Sequence, residues 1–531
     1  MDLPSIIDSV EASEKARQLL TKLLSEGDAS KAVVIAEQLV SGQNQGWIVE
    51  QLKAQVYVEG GTQLENPELL AKGARILEEL SSRYEPSAFR YNLASVEHRQ
   101  WNLAVKQNGF EQAWRDSYDH LRNARNLFDS IAGDSSASLE ERLKALTDAG
   151  NSYDEAGRYL DALEKYDSAL NLAPTFAMAL GNRGMTLFYL APLMGSYGSA
   201  LLREAADCLD AALDDEEGLA KHGGNTAIDT FRKLRSRIKA PSGESEFLPA
   251  SPASFDDPYL QWCLGHGLFL HVSPDHIQQD TDILDSISFK TFTHIISDKG
   301  LLLANSLIDA FSTLKQDYTS ARYLLWLATS RVSPINKHSQ AISKRVSYWD
   351  TASYARFSAR TGLVVQAHRA AVDLLDKIAA FVHLYLSSNQ VRGQFTFDKL
   401  ASLSKGRLPA YLADALGPPE LNQGLMALLD LQMELREDPP SRLRQRTIRR
   451  HSSTHTFLVV HHMGAGNSIP MIDRVNWDQL IEESLDQLRF VRGALLYLAN
   501  MIEIHEEVSR SEDEAGLLPI ERADPDLMDL D

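Results

Sequence analysis

Residues 143 to 174, LKALTDAGNSYDEAGRYLDALEKYDSALNLAP, set small or apolar residues at Leu143, Leu146, Ala149, Gly150, Tyr153, Ala162, Tyr166 and Ala169, and close on Pro174. The spacing is that of two packed helices. Gly150 and Ala162 allow the helices to approach closely, Tyr153 and Tyr166 fill the space left beside them, and Pro174 stops the second helix. A single hairpin of this kind leaves an apolar face uncovered, so neighbouring hairpins must stack on it.

The pattern resembles the tetratricopeptide repeat (TPR) over its whole period, and the clearest copy covers residues 143–176. A second copy starts at AMALGNRGMTLFYLA and resumes at EAADCLDAALDDEEG after a Gly- and Ser-rich insertion. Degenerate copies stand at ASKAVVIAEQLVSG and PSAFRYNLASVEHRQWNLA. Residues 1–222 are therefore expected to form a TPR-like α-solenoid that binds a protein or peptide partner. The segment 223–257 carries a short basic helix and then a Pro, Ser and Gly run, which predicts a linker.

Beyond it, helical patterns recur at 350–387, 421–437, 441–462 and 476–509, separated by Gly- and Pro-bearing loops. They predict an antiparallel bundle over 258–509, so the whole chain is expected to be all-α. The tail 510–531 is acidic and predicts disorder. Only two cysteines occur, Cys208 and Cys263, far apart and in no Cys-x-x-Cys pair, which speaks against a disulfide framework or a cysteine zinc site. No stretch approaches about 18 uninterrupted apolar residues and the N-terminal segment has no leader pattern, so a cytoplasmic protein without membrane contact is expected.

Against a net charge of −20, residues 442–455 stand out: Arg442, Arg444, Arg446, Arg449 and Arg450 precede His451 and His455. A continuous helix through 462 would put His451, His455 and His462 within about 40° of one another. The bland reading of an arginine run is a solvated face. A metal site is disfavoured, because His-x-x-x-His supplies half a ligand set and five arginines oppose a cation. Arginine with histidine suits phosphate chemistry instead: the guanidinium grips phosphate oxygens and the imidazole moves a proton near neutral pH.

RHSSTH, residues 450–455, resembles the R-x4-6-H motif of HEPN domains (higher eukaryotes and prokaryotes nucleotide-binding), in a late helix of an all-α bundle. The block YLQWCLGHGLFLH ahead of the bundle resembles a HEPN subfamily fused to TPR arrays. The resemblance implies a metal-independent endoribonuclease, a toxin or antiphage effector, that uses the RNA 2′-OH as nucleophile and leaves a 2′,3′-cyclic phosphate. It makes Arg450 the phosphate-binding arginine, His455 the acid/base and His451 its polar helper, with no cofactor or metal. Arg442, Arg444, Arg446 and Arg449 become a track for RNA phosphates. Arg446 and His451 have the same separation, so a second register exists. On a straight helix Arg450 and His455 diverge by about 140°. Convergence requires an irregular helix start at Arg450 or two motifs meeting in a homodimer through the HEPN domain.

Other features carry less. MGAGNSIP (463–470) lacks the lysine of a phosphate loop and reads as a helix-ending turn. His266, His271, His276 and His294 have no metal-site spacing, Trp262 and Phe269 read as core, and His505 or Glu506 could face the motif. The competing reading is a non-catalytic TPR/HEPN module for protein interaction or nucleotide binding. A toxin silenced by a partner that modifies it is a third.

Overall fold

The computed structural model describes residues 6–7, 10–41, 46–84, 87–192, 198–238, 254–272, 284–285, 287, 289, 300–343, 355–387, 395–401, 407–417, 422–435, 442–462 and 468–509; residues 6–7, 10, 41, 87–88, 339–340 and 442–448 are described by backbone alone. The chain divides into two compact units. The first comprises 1–155, 161–186 and 205–238; the second comprises 156–160, 187–204 and 239–531.

The N-terminal part of the chain is a series of helices, of which α9, α10 and α11 are each divided between the units: α1 (Val10–Ser25), α2 (Ala29–Gln38), α3 (Gly46–Gln63), α4 (Pro67–Arg83), α5 (Ser87–Asn108), α6 (Phe110–Asp116), α7 (Tyr118–Ala132), α8 (Leu139–Asp154), α9 (Tyr159–Leu172), α10 (Ala177–Leu190), α11 (Gly198–Leu213) and α12 (Glu216–Arg237). A two-residue parallel pairing joins β1 (Ile6–Ile7) to β2 (Val40–Ser41). The apolar clusters follow chain order. Ala16, Leu20, Ala36 and Leu52 join α1 to α3, Val58, Leu77 and Val96 join α3 to α5, and Ala94, Phe128 and Ala149 join α5, α7 and α8. Leu146, Ala169 and Ala179 continue the series into α10. This is the arrangement of a solenoid, in which each hairpin packs on its neighbours.

The close helix packing expected of residues 143–174 is visible in α8 and α9. Ser138 caps α8 in a reciprocal capping box with Glu141. A Cβ on Gly150 would fall inside the Tyr166 ring, and Tyr166 Oη donates to Asn151 Oδ1 at 2.9 Å. Ala162 and Ala169 are fully buried. The expected linker starts too early. Residues 223–237 belong to α12, kinked at Gly224 (φ 67°), and Ile228, Phe231 and Leu234 are buried because Gly181 leaves room for the Phe231 ring. Residues 239–253 and 510–531 lie outside the described residues.

In the second unit, α13 (Pro258–Gly265) precedes α14 (Leu301–Thr329), α15 (Ser339–Ser343), α16 (Ala359–Leu386), α17 (Ala410–Leu416), α18 (Gln423–Glu434), α19 (Arg442–His455) and α20 (Trp477–Val508). Its frame is α14, α16 and α20 packed on one another, with α18 laid against α20. Gly424 lets the α18 backbone meet Met501, and Asn422 Nδ2 donates to Met501 O at 3.0 Å. Arg322 of α14 secures the segment before it, with bonds to Asp285, Tyr259 Oη and Leu268 O. No helix among the described residues is long and apolar enough to cross a membrane.

The fold is all-α in class, but the expected helix over 441–462 is two elements. It ends at His455, and β3 (Phe457–His461) pairs in parallel with β4 (Ile472–Asn476), Phe457 opposite Ile472 and His461 opposite Asn476. The β-branched and aromatic run TFLVV favours the extended form once a partner strand is available.

Candidate functional site

The motif occupies the C-terminal half of α19, not its start. Consecutive helical residues turn by about 100°, so Arg449 and Arg450 reach different helices. Arg449 forks onto Glu483 of α20, with Nη2 to Oε1 at 2.9 Å, and its Nη1 lies 3.6 Å from Asp473 of β4. All three side chains are largely buried. Arg449 thus differs from the expected phosphate track: its donors are already held by carboxylates. The side chains of Arg442, Arg444 and Arg446 lie outside the described residues.

Arg450 points to α16. Its Nε donates to Asp373 Oδ1 at 2.6 Å, and Nη2 is 3.7 Å from Asp376 Oδ2. Burial pushes the Asp376 carboxyl up, while the Phe397 N–H and Arg450 pull it back. The Arg450 side chain keeps 30% exposure. The backbone at Arg450 is satisfied locally: Ser453 Oγ and Thr454 Oγ1 both donate to its carbonyl, at 2.9 and 2.8 Å.

His451 and His455 lie one turn apart and both are exposed, their ring centroids 4.8 Å from each other. One copy of the chain therefore brings His451 to His455 but not Arg450 to His455. The regular helix sends Arg450 toward α16 and leaves His451 about 100° and His455 about 140° around the axis from it. His462 does not join them. It follows β3, beyond the strand, and its Nδ1 contacts Arg356 at 3.4 Å. The irregular helix start considered as one route to convergence is absent at Arg450, which has helix on both sides.

The remaining candidates take structural places. Phe269 is fully buried with Cys263 and Leu284, and Trp262 packs on that cluster. His271 is buried, and its carbonyl accepts from Arg492 at 2.5 Å. His266 stacks edge-on to Trp262, and burial with Arg489 nearby pushes its imidazole down. His276 and His294 lie outside the described residues, as do residues 463–467 of the MGAGNSIP segment, which joins β3 to β4 and so does not end a helix. Glu506 is buried and accepts from Tyr385 Oη at 3.0 Å, a tie between α16 and α20. Both cysteines are buried and neither is in a disulfide.

Sequence reasoning missed Asp373 and Asp376. Two acids three residues apart in the apolar stretch AAVDLLDKIAAF were the available signal, since a carboxylate on the inner part of a bundle helix needs a cationic partner.

A comparison with curated proteins gives no match. A scan against protein families matches residues 304–505 to the model for LA2681-like HEPN. Those residues run from within α14 to within α20 and contain the motif helix, so the likeness to LA2681-like HEPN resides in the C-terminal helical bundle.

Proposed function

We propose that the protein is a metal-independent endoribonuclease whose N-terminal helical array, read as TPR-like, responds to a protein or peptide trigger. In the reaction His455 takes the proton of an RNA 2′-OH as that oxygen attacks the adjacent phosphorus. The P–O5′ bond breaks, the 5′-oxygen receives a proton, and one product ends in a 2′,3′-cyclic phosphate. Arg450 neutralises the charge that develops on the phosphoryl oxygens. His451 lies beside His455 and orients it. Because the two residues diverge on α19, the arginine of one copy works with the histidine of another, in a homodimer formed through the HEPN-like bundle. Arg442, Arg444 and Arg446 lead the RNA backbone toward the site.

The observation that carries this reading is the exposed His451–His455 pair on the same helix as a partly exposed Arg450, inside the region that matches HEPN. The test is expression of wild type, Arg450→Ala and His455→Ala, with growth and total RNA followed and purified protein assayed in EDTA. Growth arrest and RNA loss in the wild type alone support the proposal; intact RNA across a broad panel, with and without triggers, refutes it. One observation favours a second reading. Asp373 and Asp376 neutralise Arg450 within a single chain, as expected of a non-catalytic interaction or nucleotide-binding module.

A further inference from the structure

The β3–β4 ribbon carries an exposed apolar face beside the motif. Directly paired residues on neighbouring strands point to the same side of a sheet, and successive residues alternate. Phe457 pairs with Ile472 and Val459 with Arg474, so these four share one face. The opposite face is the inner one: Val460 and Val475 are buried there, and Asp473 reaches Arg449 of α19. On the outer face Phe457 keeps 64% exposure. Ile469 bridges Ile472 through mutual backbone hydrogen bonds of 3.1 and 2.9 Å, which adds Ile469 to that face at 53% exposure.

Pro470 and Met471 form the turn between Ile469 and Ile472. Proline presets the first central position of such a turn, and Met471, at the second, takes φ 67°, a conformation for which glycine is the default residue. Met471 is 65% exposed, and its carbonyl accepts from the Phe457 N–H at 3.0 Å. A bulky side chain held at positive φ is strained, and in solvent it gains no packing that would offset the strain. Single exposed apolar residues, such as Leu302 at the start of α14, need no partner. Phe457, Ile469 and Met471 differ because backbone pairing joins them into one surface. At these exposures each presents roughly 100 Å², on the order of 300 Å² together. One side of a standard protein interface buries about 800 Å², so the ribbon supplies more than a third of it. The adjoining surface is the end of α19: His455 closes that helix two residues before Phe457, and His451 and Thr454 are exposed with it.

We infer that a second copy of this chain docks on the outer face of the β3–β4 ribbon, with Phe457 and Met471 as the central apolar contacts and His455 at the rim. The choice of a second copy rests on the proposed reading of the motif: Arg450 and His455 diverge on one helix, so the site is incomplete without another chain's arginine. In a two-fold contact the same face of each copy meets its twin, which brings the two motif helices to one interface.

Sedimentation velocity of the full-length protein over a concentration series reads the assembly without reference to activity. The wild type should be a dimer that dissociates on dilution. Phe457→Asp should weaken association by about a hundredfold or more, since a two-fold contact loses the aromatic anchor twice. Met471→Gly should weaken it by about tenfold. Glycine fits the turn, so this variant should keep the wild-type circular dichroism spectrum and stays informative should Phe457→Asp fail to fold. Leu302→Asp, on exposed surface elsewhere in the unit, should dimerise like the wild type. A monomeric wild type, dimerisation undiminished in Phe457→Asp and Met471→Gly, or equal weakening by Leu302→Asp would overturn the inference. RNA cleavage by the same samples separates this failure from failure of the nuclease reading. Cleavage by a wild type whose dimer ignores both ribbon variants overturns the docking face and leaves the nuclease standing; a dimer that both variants weaken, with intact RNA throughout, supports the face and counts against the nuclease.

Discussion

Arg449 and Arg450 are neighbours of the same chemistry, and their surroundings predict opposite phenotypes. Removing Arg449 leaves Glu483 at 14% and Asp473 at 20% side-chain exposure without the guanidinium that compensates them. Loss of one partner of a fully buried pair costs about 3–5 kcal/mol, and an exposed pair is worth about 0.2–1 kcal/mol. At this intermediate burial, Arg449→Ala should cost about 2–3 kcal/mol. For a unit of this size that lowers the melting transition by about 4 to 6 °C. Arg450, at 30% exposure against Asp373 at 41%, is an ordinary surface pair. Its removal should change stability by about 1 kcal/mol or less, so Arg450→Ala should melt within about 2 °C of wild type. Scanning calorimetry of the two variants, with circular dichroism to follow helix content, reads the difference. An Arg449→Ala protein that melts with wild type, or an Arg450→Ala protein that falls further, would refute the assignment of structural and functional arginines.

Three further outcomes follow from particular residues. Arg449→Lys keeps the charge but loses the fork, so its melting loss should lie between those of wild type and Arg449→Ala. Gly150→Ala forces a methyl into the Tyr166 ring and should destabilise the first unit by about 1–3 kcal/mol in denaturant titration. Burial pushes the Asp154 carboxyl up to about 6, against an ordinary value of 3.8, with the Thr186 hydroxyl partly offsetting it. A raised carboxyl favours the protonated folded state, so its stabilising effect is complete below the ordinary value and is lost as pH rises through about 6. Asp154→Asn has no ionisation to lose: its stability relative to wild type should increase from pH 4 to pH 7, and a flat difference would count against this account.

What was readable in advance was whatever depends on local spacing. The α8–α9 hairpin declared itself because Gly150, Ala162 and Ala169 are small for one steric reason, and the structure places Tyr166 against Gly150. The motif residues were legible as chemistry, but their surroundings were not. Arg450 meets Asp373 only because α19 crosses α16, a tertiary fact that no spacing within residues 442–455 contains. The strand over 457–461 was read as helix because its partner lies at 472–476 and pairing is what stabilises the extended run. The basic stretch at 223–237 looked like the start of a linker, since nothing local announces that Phe231 fills the space above Gly181.

The central claim is cleavage by the RNA's own 2′-OH at the Arg450–His455 motif. Mapping the 3′ ends of RNA incubated with the purified full-length protein in EDTA tests it directly. The account predicts fragments ending in 2′,3′-cyclic phosphate from the wild type, reduced about a hundredfold or more in His455→Ala. Fragments with 3′-hydroxyl ends, cleavage abolished by EDTA, or cleavage undiminished in His455→Ala would contradict it.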